Sequence, residues 1–173
     1  MALVFQYGSN CSESQINNKD RLCGDAKFVA IAETVDDYQL AFDVWSTRRG
    51  CAASDIVARP GSKVWGVLYE VPDYLIERKT SAAKNRKSLD AIEGEGTNYK
   101  RETIAVRRND GLIVSALTYW VRNPQPDLKT SLEYVGYIVE GLRGHGVQED
   151  YVEIVKQLAQ ANNPAIATQV QGL

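Results

Sequence analysis

The chain has 173 residues, 44% of them hydrophobic and 24% charged, which suits one globular domain over residues 1–173 with a sizeable core. Twenty basic against 22 acidic residues leave a formal charge of −2, so neither nucleic acid nor an anionic membrane is the expected partner. A single histidine and three cysteines with no C-x-x-C pair exclude an ordinary zinc site and argue against a disulfide framework, and no metal or cofactor is expected. No apolar run approaches the roughly 20 residues that span a bilayer. Met1 to Tyr7 lack the basic leader and long apolar stretch of a signal peptide, so the expected setting is the reducing cytoplasm.

Leu3, Val4 and Phe5 read as a short buried strand ending at Tyr7. Gly8 then offers a turn through backbone conformations closed to other residues, and Ser12 to Gln15 fits a capping box that starts a helix. Lys27 to Ala32 and Tyr38 to Val44 read as strands turning at Asp36-Asp37. Ser46 to Pro60 reads as loop, with a turn at Pro60-Gly61. Val64 to Val71 carries apolar residues on both alternating faces, the pattern of a central strand, and Gly66 within it permits a close backbone approach. Pro72-Asp73 opens a helical stretch, the basic segment Arg78 to Lys87 reads as a break, and Ser88 to Ile92 forms a second helical piece stopped by Gly94 and Gly96. Tyr99 to Arg107 and Leu112 to Val121 form a hairpin across Asn109-Asp110-Gly111. A second capping box at Thr130 to Glu133 starts a helix that ends near Gly144. Tyr151, Ile154, Val155 and Leu158 mark the apolar face of a last helix, followed by a loosely held tail after Asn162-Asn163-Pro164. These elements predict an α+β fold: a small mixed β-sheet that curls or closes into a barrel, with helices packed outside.

A strand, a glycine turn and a helix start gather N–H groups at Tyr7, Gly8, Ser9 and Asn10, a place suited to a carboxylate or oxyanion, or else an ordinary strand-to-helix turn. Glu93 ends an apolar helical face at Gly94. A carboxylate at that end of a helix dipole, further desolvated by aromatic neighbours, has a raised pKa and the makings of a general acid–base; the plain alternative is a surface turn. Glu95 should point away into solvent. His145, in Arg143-Gly144-His145-Gly146, reads as a solvated loop residue, and the cysteines read as small core residues.

In order, Tyr7-Gly8-Ser9-Asn10, Val64-Trp65-Gly66-Val67-Leu68-Tyr69, Leu89 to Gly94 and Tyr99 resemble the gamma-glutamylcyclotransferase-like family. The resemblance extends to Leu40 to Ser46, the Pro60-Gly61 turn, Thr118-Tyr119, and the spacing of Tyr134, Gly141 and Tyr151, and it covers roughly residues 4–155. It implies a small β-barrel flanked by helices and an acid–base glutamate at Glu93. It further implies a glutamyl-binding loop formed by Val4, Phe5, Gln6, Tyr7, Gly8, Ser9 and Asn10, with Tyr99, Tyr119 and Tyr134 at the substrate. The implied partner is a small γ-glutamyl amide, converted to 5-oxoproline and a free amine. A non-catalytic relative that uses the same pocket for binding is the alternative, and hydrolysis to glutamate a third. Cys11 stands where the family commonly has an aliphatic residue. The segment Arg78 to Lys87 is longer than in compact members; it borders the leaving-group side of the cleft or is a solvated insertion.

Overall fold

The strand with two apolar faces lies where that composition requires. In the computed structural model, which describes Met1–Leu173, strand β5 (Trp65–Val71) is hydrogen-bonded on both sides, to β1 (Ala2–Gln6) and to β2 (Lys27–Thr34), antiparallel in each case. The barrel continues from β2 to β6 (Tyr99–Arg108) and β7 (Ile113–Val121), and it closes by a parallel contact of Val4 with Leu117. Any side chain at Gly66 would collide with the Gln6 carbonyl and the Phe5 ring, so glycine lets β1 seat against β5. The hairpin β6–β7 runs in unbroken register from Tyr99 opposite Val121 to Arg107 opposite Ile113. Gly111 takes φ +87° at its turn, as such turns require.

Residues 46–60 do not form a loop. Cys51–Ala58 is strand β4, paired antiparallel with β3 (Tyr38–Ser46) in a separate two-stranded sheet, with a bulge at Asp43. Cys51 to Ile56 are all buried, so both faces of this strand are covered and its small residues show no alternation to read. The helices are α1 (Glu13–Ile16), α2 (Arg78–Ala82), α3 (Leu89–Glu93), α4 (Leu132–Gly144), α5 (Glu149–Asn162) and α6 (Ala167–Gln171). No helix is long and apolar enough to cross a membrane.

Several local expectations need correction. Part of the supposed break at 78–87 is helix α2, tied down where Arg86 meets Asp25 at 2.6 Å and Arg78 meets the carbonyls of Asp90 and Glu95. Neither capping box closes as written. Ser12 Oγ bonds Ser14 Oγ while Gln15 accepts from Arg49, and in α4 the cap is Ser131, not Thr130, accepting from Tyr134 N. The buried face of α5 is Tyr151, Val152, Val155 and Ala159, which leaves Ile154 exposed. The tail is packed: Val170 is fully buried, and Lys156 donates to the Gln171 carbonyl at 3.1 Å. His145 is half-buried, bonded to the Gly141 carbonyl and stacked on Phe28, whereas Cys23 is exposed.

Helix α4 presses on the turn that follows β1. A Cβ at Gly141 would fall on the backbone of Cys11 and Ser12, which cannot swing aside, whereas one at Gly136 would meet only Leu173 at 3.9 Å. The two glycines of one helix should therefore respond oppositely to alanine. Gly141→Ala should destabilise by about 1–3 kcal/mol through overpacking, and Gly136→Ala should stabilise by up to about 1 kcal/mol through helix propensity. Urea unfolding of the two variants checks both signs.

Candidate active site

Tyr7, the last residue of the apolar run, leads directly into a turn made tight by packing. Gly8 has φ −102° and ψ −150°, extended backbone that other residues adopt, so the expectation of a glycine-only conformation is wrong. Space is the reason for glycine here. A Cβ would overlap Ser54 Oγ on β4 and come within 3.2 Å of the Tyr134 hydroxyl on α4. Ser54 N donates to that hydroxyl at 3.0 Å, and the two hydroxyls are 2.9 Å apart. The turn is thus clamped between the second sheet and α4.

Its backbone leaves donors over. Cys11 N returns to the Gly8 carbonyl at 2.9 Å and Ser12 N to Ser9 at 3.2 Å, while the amides of Gly8, Ser9 and Asn10 donate to nothing in the protein. Ser9 and Asn10 are buried, and buried amides demand an acceptor. All three residues line a narrow inner recess.

Glu93 faces the same recess. Helix α3 delivers it: Ser88 Oγ caps the start by accepting from Ala91 N at 3.1 Å, and Gly94 ends it in the left-handed region at φ +69°. Asn10 Nδ2 donates to Glu93 Oε1 at 2.7 Å across 83 positions of sequence, and Asn10 Oδ1 accepts from buried Arg21. Burial is the largest influence on the Glu93 carboxyl and pushes its pKa above the ordinary 4.5, against the nearby Arg21 charge and the Asn10 hydrogen bond. Gln6 Nε2 lies close enough to act in the same sense as Asn10, yet it forms no hydrogen bond of normal geometry. It is one more spare donor in the recess.

Four tyrosines complete the wall. Tyr7 donates to the Tyr119 carbonyl, Tyr99 to the Ser54 carbonyl at 2.7 Å, and Tyr119 to Asp90 Oδ1 at 2.7 Å, with Arg101 holding the other Asp90 oxygen. Burial drives all four phenols, Tyr134 included, above their ordinary pKa, so they stay neutral and act through shape and hydrogen bonding. Of the residues expected at the site, Gln6, Tyr7, Gly8, Ser9, Asn10, Glu93, Tyr99, Tyr119 and Tyr134 come together here. Val4 and Phe5 do not line the recess; both are buried in the barrel wall, where Val4 faces Tyr69 and Phe5 covers Gly66. Glu95 turns away, half-buried and paired with Arg78 at 3.2 Å.

The recess, about 30 Å³, opens into an outer cleft of about 280 Å³ that shares Ser9, Asn10, Glu93, Tyr99 and Tyr134 with it. The other walls include Arg21, the end of β3 and the turn after it, Ala53 of β4, Lys87, and Ala91 and Ile92 of α3. Sequence reasoning missed Arg21, Ser54, Arg48 and Arg49 as site residues. Arg21 sits in an unpatterned polar stretch and Ser54 in a strand taken for loop, so neither carried a local signal.

A family model described as gamma-glutamyl cyclotransferase, AIG2-like, matches residues 4–137. The chain belongs to that family. Its fold is similar to a solved structure named gamma-glutamyl cyclotransferase, with 23% identity, TM-score 0.74, and coverage of 90% of this chain and 86% of the other. It is equally similar to an uncharacterised protein from Homo sapiens, at 24% identity, TM-score 0.74 and the same coverage. YkqA from Bacillus subtilis matches at 20% identity and TM-score 0.72, over 92% of this chain but 54% of that one. No curated protein matches the sequence. Membership and fold agree with the barrel and helices that the family resemblance implied.

The clamp on Gly8 has a direct check. Gly8→Ala should cost about 1–3 kcal/mol through its clash with Ser54 Oγ. In a Ser54→Ala background the same change should cost measurably less, a non-additivity read from a double-mutant unfolding cycle.

Proposed function

We propose that this protein is an enzyme, a γ-glutamyl cyclotransferase that releases 5-oxoproline and a free amine from a small γ-glutamyl amide. The observation that carries the reading is the meeting of Glu93 with the unspent amides of Gly8, Ser9 and Asn10 in one recess. Membership of the AIG2-like family supports the same chemistry.

The attacking atom belongs to the substrate. Its α-ammonium gives a proton to Glu93, and the freed amine adds to the γ-carbonyl carbon, closing a five-membered ring. The carbonyl oxygen becomes an oxyanion, which the spare backbone donors of the turn stabilise. Collapse of this intermediate breaks the amide bond, and the departing nitrogen takes the proton back from Glu93. The ring nitrogen, becoming an amide, gives its second proton to the regenerated carboxylate, which passes it to the released amine as ammonium. A carboxyl group with its pKa raised above the ordinary value suits both halves of that cycle, since it accepts a proton more readily than a free carboxylate and can then surrender it. Holding the glutamyl group folded, with amine beside carbonyl, supplies the proximity term, and the tyrosine walls provide the shape. Asn10 aims the carboxyl group, and Arg21 in turn orients Asn10.

The reading is tested by assaying 5-oxoproline release from γ-glutamyl amides with wild type and Glu93→Gln. The variant should lose about 10²–10⁴-fold in kcat and change in stability by less than about 1 kcal/mol, or about 2–4 °C in Tm for a chain of this size. Binding without turnover in wild type would establish a ligand-binding relative instead, and free glutamate as product would establish hydrolysis. The pH profile gives a further check. Glu93 must be ionised to take the first proton, so kcat/KM should fall as pH drops through the raised Glu93 pKa. The acid limb should therefore lie above the ordinary carboxylate value and disappear in Glu93→Gln.

A further inference from the structure

The outer cleft has a charge that the recess does not explain. Arg21, Arg48, Arg49 and Lys87 all line it, and Glu93 is its sole carboxylate, in a chain whose acids outnumber its bases 22 to 20. None of the four cations takes part in any ion pair of the protein. Arg21 is committed to Asn10 and stands near Glu93. The other three are not neutralised. Arg49 lies over Tyr137, its guanidinium carbon 4.7 Å from the ring centre, and donates to Gln15 Oε1 at 2.6 Å, which restrains it without cancelling its charge. Arg48 and Lys87 are exposed. Burial lowers the Arg21 pKa most, and like-charge repulsion from Arg49 and Arg48 lowers it further, against the pull of Glu93; all three guanidinium groups belong to residues lining one cleft.

Cations gathered in a cleft without partners focus a positive potential on whatever occupies it. The reacting α-amine and γ-carbonyl of a substrate belong beside the turn and Glu93, which line both recess and cleft, so the outer part of the cleft receives the leaving amine. One carboxylate can satisfy one guanidinium in a bidentate pair, which would leave the remaining outer cations unmatched. We propose that the leaving amine carries two anionic groups, as an acidic or phosphorylated amino acid does. This rests on the γ-glutamyl reading of the recess. A cationic amine such as a polyamine would meet repulsion at the same place.

The test compares γ-glutamyl-glutamate with γ-glutamyl-glutamine, which differ by one charge at nearly constant shape, alongside γ-glutamyl-lysine and γ-glutamyl-O-phosphoserine. At low salt kcat/KM should favour the glutamate compound over the glutamine compound by about tenfold or more, with the lysine compound last. The preference should shrink as added salt screens the cleft. In Arg48→Gln/Arg49→Gln, and separately in Lys87→Gln, the glutamate-to-glutamine ratio should move toward one. A tenfold advantage for phosphoserine over glutamate would name phosphate as the second anion, and the reverse would name carboxylate; either supports the proposal.

Calorimetric binding of the same compounds to Glu93→Gln separates this inference from the reading beneath it. Charge-ordered binding without 5-oxoproline release by wild type would overturn the cyclotransferase reading and leave the anion preference standing. Release of 5-oxoproline with equal kcat/KM for the glutamate and glutamine compounds would overturn the anion preference alone. Absence of both release and binding would overturn both.

Discussion

The hydrogen bond from Asn10 to Glu93, 2.7 Å long, is the contact on which the site depends. It joins the turn after the first barrel strand to the last residue of a five-residue helix outside the barrel. A helix that short has little stability of its own. Its position comes from caps at both ends and from Leu89, which is fully buried. Glu93 is consequently held by surrounding structure, and Asn10 is oriented by an arginine drawn into the interior. A carboxyl group placed in this way is desolvated and still accepts a hydrogen bond, so burial raises its pKa while Arg21 and Asn10 pull it back.

Two glycines make the other half of the site possible, and both act by absence of volume. Gly141 lets α4 lie on the backbone of Cys11 and Ser12, and Gly8 lets Ser54 and Tyr134 close over the turn. The amides of Gly8, Ser9 and Asn10 find no acceptor in the protein and belong to residues that line the recess; in the proposed reaction they are the donors for the developing oxyanion. The small two-stranded sheet has a specific place in this arrangement, since β4 supplies Ser54 and its carbonyl anchors Tyr99.

The elements that carry strong periodic or turn signals were legible in the sequence. The two-faced strand β5, the Asn109-Asp110-Gly111 hairpin and the glycine stop after Glu93 each follow from local residue chemistry. What escaped reading was decided by tertiary surroundings. Strand β4 is covered on both faces by neighbours, so small residues replaced alternation. Arg21 has no motif, and only the fold shows that its guanidinium is buried behind Asn10. Gly8 was identified for the wrong reason, because its φ and ψ are ordinary and the crowding around it is invisible until β4 and α4 are in place. The α5 face turned by about one residue because its buried side is set by what lies beneath it, including the packed tail.

The proposed reaction requires that the early turn grip a glutamyl group while Glu93 exchanges its proton, both acting on a single molecule. A crystal structure of Glu93→Gln holding an uncleaved γ-glutamyl compound tests this most directly. The account predicts the substrate's α-nitrogen within hydrogen-bonding reach, about 3 Å, of the side chain at position 93, and its γ-carbonyl oxygen on the amides of Gly8, Ser9 or Asn10. A glutamyl group seated elsewhere on the protein, or one whose α-nitrogen faces away from position 93, would contradict it.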